Sequence, residues 1–172
     1  PMDKYAIDSH KLIFHPERVA QWSKAGNDWE KLKKVYPLYV EISPYGGCNH
    51  RCTFCALDYM GYEKIAQEEQ ALRNALDEMA SGGVRSVMFA GEGEPLLFNP
   101  LASIVEHCSR IGIDTSITTN FVPCNTKSIE TFVRHCSWIK VSFNAGTPER
   151  YAQIHQTKED DFHRVVENLR YA

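Results

Sequence analysis

Leu38-Tyr39-Val40-Glu41-Ile42-Ser43 opens a run of alternating apolar and polar positions, the period of a half-buried β-strand. The same signature recurs over Val84 to Ala90, Ile113 to Thr119 and Trp138 to Asn144. Between these segments the spacing changes to that of helices. Ile65, Leu72, Ala75, Leu76 and Met79 predict a helix from Ile65 to Ala80, stopped by Ser81-Gly82-Gly83. Leu101, Ile104, Val105, Cys108 and Ile111 make a second stripe, Ile129, Phe132, Val133 and Cys136 a third, and Phe162, Val165, Val166 and Leu169 a fourth. Repeated strand-then-helix units predict an α/β fold with a parallel sheet and right-handed crossovers. Residues 1–37 lack this rhythm and read as an N-terminal extension with one short helix from His15-Pro16-Glu17 to Trp22, Pro16 suiting a first helical turn. Residues 38–172 are the expected core domain.

Parity within the strands separates two kinds of parallel sheet. A sheet covered by helices on both faces has strands that are apolar at nearly every position. Here Ile139, Val141 and Phe143 alternate with Lys140, Ser142 and Asn144, Ile117 neighbours Ser116 and Thr118, and Val40 and Ile42 alternate with Glu41 and Ser43. One face takes the helices and the other must line something wet or ligand-filled. The pattern therefore predicts a (β/α) barrel or partial barrel, whose working end lies where strand C-termini meet the βα loops.

Composition narrows the class without naming a partner. The 172 residues are 43% hydrophobic and 24% charged, with 19 Lys+Arg against 22 Asp+Glu, so there is no electrostatic drive toward nucleic acid or membrane surfaces. Apolar runs fall short of a membrane span, and Pro1-Met2-Asp3-Lys4 lacks a signal-peptide profile, so a cytoplasmic protein is expected. That compartment disfavours a disulfide framework for the six cysteines.

Three of those cysteines cluster. Cys48-Asn49-His50-Arg51-Cys52-Thr53-Phe54-Cys55 has the spacing Cys-x3-Cys-x2-Cys and follows the first strand, at the predicted working end. Thiolates are preferred ligands of iron–sulfur clusters, and three of them leave one iron of a cubane open to a substrate or cofactor. The alternative is structural zinc, with His50, His10 or His15 as a fourth ligand. Gly91-Glu92-Gly93-Glu94-Pro95 follows the second strand and faces the same mouth: its glycines allow close backbone approach, and a carboxylate there accepts hydrogen bonds from an ammonium group.

Together these segments resemble the radical S-adenosylmethionine (SAM) superfamily, whose Cys-x3-Cys-x-aromatic-Cys loop matches Cys48, Cys52, Phe54 and Cys55. The resemblance covers about residues 38–172. It implies a partial (β/α)6 barrel and a [4Fe–4S] cluster held by Cys48, Cys52 and Cys55. It further implies that SAM chelates the open iron and is cleaved reductively to a 5′-deoxyadenosyl radical that abstracts hydrogen from a substrate. Phe54 is then expected near the adenine, and Gly91, Glu92, Gly93 and Glu94 near the methionine amino group, although Glu92 stands where the family pattern has a glycine. Thr118, Asn120, Ser142 and Asn144 match positions that bind ribose and carboxylate. A small-molecule or peptide substrate and an electron donor such as flavodoxin or ferredoxin are the implied partners; the substrate and oligomeric state are not legible.

Remaining candidates read as structural. Cys108 and Cys136 fall on helix stripes and are expected in the core; Cys124 reads as a loop thiol, and Asp58, Tyr59 and Met60 as a bend into the helix. Lys140 and Glu41 are expected to pair inside the barrel. At roughly 30 residues per βα unit the core holds about four of the family's six units, which predicts a C-terminally truncated barrel.

Overall fold

The computed structural model describes residues 11–61 and 63–172, and for Asp58 the backbone alone. His10, one of the alternative zinc ligands, and the stretch Pro1 to Lys4 lie outside the described residues. Four parallel strands form one sheet in the order β1-β2-β3-β4: β1 Tyr39–Ile42, β2 Ser86–Phe89, β3 Asp114–Thr119 and β4 Cys136–Val141. The helices are α1 Pro16–Ala25, α2 Trp29–Leu32, α3 Ala56–Met60, α4 Glu69–Ser81, α5 Leu101–Arg110, α6 Thr126–His135, α7 Pro148–His155 and α8 Glu159–Tyr171. Consecutive strands are neighbours, as in a partial α/β barrel.

Parity sorts the two faces of the sheet. Val87, Phe89 and Ile117 share one buried cluster with Leu72 and Leu76 of α4, Ile104 and Val105 of α5, Ile129 and Phe132 of α6, Tyr151 of α7 and Val165 of α8. Val40, Ile42, Ile139 and Val141 pack against its edge. The opposite face carries Tyr39, Glu41, Met88, Ser116, Thr118 and Lys140. There the hydroxyls of Tyr39 and Thr118 both reach the Met88 sulfur at 3.5 Å. Burial and the neighbouring Glu41 push the Tyr39 phenol up to about 12, so it stays protonated.

Several predicted boundaries shift for local reasons. The helix expected from Ile65 begins at Glu69, because Ala66 bridges Tyr45 and the Gln67 N–H donates to Pro44 O at 3.0 Å. Glu68 then caps it, accepting from the Gln70 and Ala71 amides. Cys136 is not on a helix: α6 ends at His135, and Cys136 is the first residue of β4, paired with Thr115. It is still packed against the core, as expected of a structural thiol. Glu41 and Lys140 do not meet: they lie in β1 and β4, with two strands between them, and Glu41 instead accepts the Tyr39 hydroxyl at 2.7 Å.

Three helices are absent from the sequence reading: α2, α3, which takes up Asp58, Tyr59 and Met60 where a bend is expected, and α7. α7 starts with Thr147 as N-cap, accepting from the Arg150 amide at 3.3 Å, and Pro148 in its first turn. Its buried residues are Tyr151 and His155. A histidine does not register as apolar, so the stripe is too thin to see. The N-terminal segment docks through Arg18, whose guanidinium donates to Tyr36 O, Gly82 O and Gly83 O. Among the described residues no helix is long and apolar enough to cross a membrane.

Candidate functional site

Parallel strands place all four following loops at one end of the sheet, and hydrogen bonds tie those loops together. The Glu94 N–H donates to Gly47 O at 2.9 Å, the Glu92 N–H to Ser43 Oγ at 3.2 Å, and the Ser142 N–H to Thr119 O at 2.8 Å. Gly93 is the point of closest approach. A Cβ there would collide with the backbone of Tyr45, Gly46 and Gly47, so only glycine lets the loop after β2 lie against the cysteine loop. Gly91 has φ +106°, and a Cβ on it would strike Ser43.

Glu94 holds this junction. Its carboxylate is 3% exposed and accepts from Thr119 Oγ1, from the Asn120 amide at 2.7 Å and from the Leu96 amide at 3.0 Å. Burial nevertheless keeps the carboxyl above the usual carboxylate range, with those three hydrogen bonds opposing it. The side chain is thus committed to the protein. Asn120 extends the brace: its Nδ2 donates to Asn49 Oδ1 at 2.8 Å, inside the cysteine loop, and its Oδ1 accepts from the Val122 amide at 3.0 Å.

The cysteine loop rests on α7 and α8. The Arg51 N–H donates to His155 O at 3.1 Å and the Thr53 N–H to Ile154 O at 2.9 Å, while a turn from Cys55 N–H to Cys52 O at 2.9 Å draws those two residues together. His50, 1% exposed, plugs inward with its Nε2 3.3 Å from Asp161 Oδ2. Burial lowers its basicity, and the Asp161 carboxylate acts the other way. His155 Nδ1 lies 3.2 Å from Cys52 Sγ, and burial, with His50 second, pulls its pKa down to about 4. Tyr151 stacks on the His155 ring at 4.1 Å between centroids.

Cys48, Cys52 and Cys55 form no disulfide and are each partly exposed. Burial raises the Cys48 thiol, the His50 amide donating to its Sγ at 3.4 Å offsets this, and Cys55 is near enough to add its charge. Three soft sulfur donors on one short loop suit an iron–sulfur cluster. Phe54 is not a core aromatic: it is 61% exposed, edge-on to the His155 ring at 6.0 Å. Thr118 is half-buried on the polar face, Ser142 is half-buried just beyond β4, and Asn144 is exposed. Tyr59 and Met60, at the end of α3, are exposed. In the sequence His50 stands out only as a zinc alternative, and Tyr151, His155 and Asp161 carry no local signal. Tyr151, His155 and Asp161 lie about a hundred residues from the cysteines and come to the loop only through folding.

A family model described as the Radical SAM superfamily matches residues 42–172. The chain belongs to that superfamily, and its cofactors are a [4Fe–4S] cluster and S-adenosylmethionine. Among curated proteins it is 28% identical over 150 residues to GTP 3′,8-cyclase of Limosilactobacillus fermentum, covering 80% of this chain and 44% of that one. It is 33% identical over 90 residues to the PqqA peptide cyclase of Bradyrhizobium diazoefficiens, covering 50% of this chain and 23% of the relative. The chain thus spans less than half the length of these relatives. Streptococcus suis SuiB bound to its precursor peptide SuiA shares the fold, with a TM-score of 0.67 at 22% identity over 90% of this chain and 34% of SuiB.

Proposed function

We propose that residues 38–172 form the SAM-cleaving core of a radical SAM enzyme, with Cys48, Cys52 and Cys55 as the three protein ligands of its cluster. The observation that carries this is the placement of three part-exposed thiols, none in a disulfide, on one short loop that the strand-end loops of β2 and β3 brace directly. When bound and reduced, the cluster supplies the electron that cleaves SAM to its hydrogen-abstracting 5′-deoxyadenosyl fragment. The chain's own part is to hold, orient and shield. Gly91, Glu92 and Gly93 present backbone groups beside the cysteine loop. Phe54 offers an exposed ring for the adenine, and Thr118, Ser142 and Asn144 offer polar groups at the strand ends for ribose and carboxylate, while Asn120, its side-chain amide hydrogen-bonded to Asn49 and Val122, acts by bracing the cysteine loop. Glu94 serves SAM indirectly, by fixing the loop that carries those glycines.

Within a small-molecule or peptide range, one relative named a peptide cyclase and SuiB seen with a precursor peptide support a peptide substrate, while GTP 3′,8-cyclase supports a small molecule. Flavodoxin or ferredoxin is the proposed electron donor. Six cysteines with no disulfide among them suit a reducing compartment, and we place the protein in the cytoplasm. Anaerobically reconstituted protein reduced with dithionite is expected to convert SAM to methionine and 5′-deoxyadenosine; a loaded cluster with no SAM turnover overturns the reading.

A second reading has one observation behind it. His50, Cys52 and His155 each offer a ligand atom, and these atoms lie within 4.8 Å of one another. Zinc held there would use Cys52 alone of the three clustered cysteines, leaving Cys48 and Cys55 without a task. That mismatch makes it the weaker of the two.

A further inference from the structure

The imidazole of His155 is buried completely, 3.2 Å through Nδ1 from the Cys52 sulfur, and its Nε2 has no hydrogen-bond partner among the described residues. Its carbonyl receives the Arg51 amide and its ring stacks on Tyr151, so both its backbone and its ring are fixed. A thiol can donate its proton to a bare Nδ1. A thiolate bound to iron has no proton to give, so a bond at this distance then requires the single N–H of the neutral ring to be on Nδ1. The orphaned nitrogen on the other side fits this tautomer, because it leaves an unpaired lone pair there rather than an unpaired buried donor.

We infer that His155 is a positioning residue for the cluster, donating its Nδ1–H to the Cys52 sulfur and thereby easing reduction. This rests on the assignment of Cys52 as a cluster ligand made above. The direction follows from charge. Reduction adds one electron to a site already rich in thiolate charge, and a donor aimed at a ligand sulfur stabilises the more negative form. The cue lies in the fold: α7 carries His155 from 103 residues away to the middle cysteine of the loop.

Two substitutions of the full chain separate tuning from packing. His155→Phe keeps a ring to stack on Tyr151 and removes the donor, whereas His155→Asn places an amide N–H near the position of Nδ1. Each variant is reconstituted anaerobically, its iron counted, and its cluster poised at a fixed ambient potential with EPR as the readout. With iron content equal to that of the unsubstituted protein, His155→Phe is expected to lower the reduced-to-oxidised ratio about tenfold, equivalent to about 59 mV for a one-electron couple. His155→Asn is expected to recover most of it. An unchanged ratio in a fully loaded His155→Phe variant overturns the inference.

Should the Phe variant not retain iron, the unsubstituted protein carries the test. Ring-15N-labelled histidine is expected to produce a weak nitrogen coupling in the pulsed EPR of the reduced cluster, and its absence overturns the inference. Failure of the unsubstituted protein to load any iron would instead strike at the cluster reading itself.

Discussion

Two sets of three cysteines share this chain, and they differ in how closely they pack against its core. Cys48, Cys52 and Cys55 stand partly exposed on the loop after β1, while Cys108 is fully buried and Cys124 and Cys136 pack against the core's margin. Burial pushes Cys108 and Cys124 up to about 12 and Cys136 up to about 11. Metal binding and nucleophilic chemistry both need the thiolate, so an apolar surrounding that raises a thiol's pKa makes it less available for either. What separates the two sets is packing: Cys108 is sealed in the core and the part-exposed Cys124 and Cys136 are packed against it, while Cys48, Cys52 and Cys55 lie on the loop outside that cluster.

The sharpest break in that comparison comes from removing one member of each set. Cys52→Ala is expected to abolish cluster loading, and Cys136→Ala to leave it intact apart from a modest loss of thermal stability; equal iron content in both variants refutes the ligand assignment. Gly93→Ala comes next. Its methyl meets the backbone of the cysteine loop, so iron content is expected to fall severalfold while circular dichroism stays native-like; full loading would show that the two loops are not rigidly coupled. Alkylation of the folded, metal-free protein sharpens the comparison further. A thiol with a pKa of about 12 is roughly 0.01% thiolate at pH 8. Peptide mass analysis should then find Cys108 labelled only after unfolding, with the loop cysteines modified first.

The smallest effect concerns the brace beneath the loop. Glu94→Gln replaces one carboxylate oxygen by an amide nitrogen facing a donor, which costs about 1–3 kcal/mol by thermal unfolding at mildly acidic pH. The sign of its pH dependence follows from burial. A carboxyl whose folded pKa is raised contributes stability below its unfolded value and loses it as pH rises through the folded value. The gap between the two proteins should therefore shrink with rising pH. A gap that widens would mean that the hydrogen bonds from Thr119, Asn120 and Leu96 outweigh burial.

Sequence showed the outline of the fold because period-two alternation and helical stripes are local signals. The cysteine spacing is local too, and so the loop stands out in the sequence alone. What it hid depends on contacts across the chain. Glu94 reads as a free acid in a turn, but the end of β3 closes over it. His155 reads as a polar position on no stripe, and only the docking of α7 under the cysteine loop gives it a partner. Cys136 fell on a helical stripe by three-residue spacing, yet α6 stops one residue earlier because Cys136 is already in the extended conformation of β4. Glu41 and Lys140 share a face, but sharing a face says nothing of how many strands stand between them.

Metal stoichiometry after anaerobic reconstitution tests the central claim most directly. About four irons and four sulfides per chain are expected, with an EPR signal of the reduced protein that changes on adding SAM. One tightly held zinc and no iron, with Cys48→Ala and Cys55→Ala binding it as well as the unsubstituted protein, would contradict the account and hand the site to His50, Cys52 and His155.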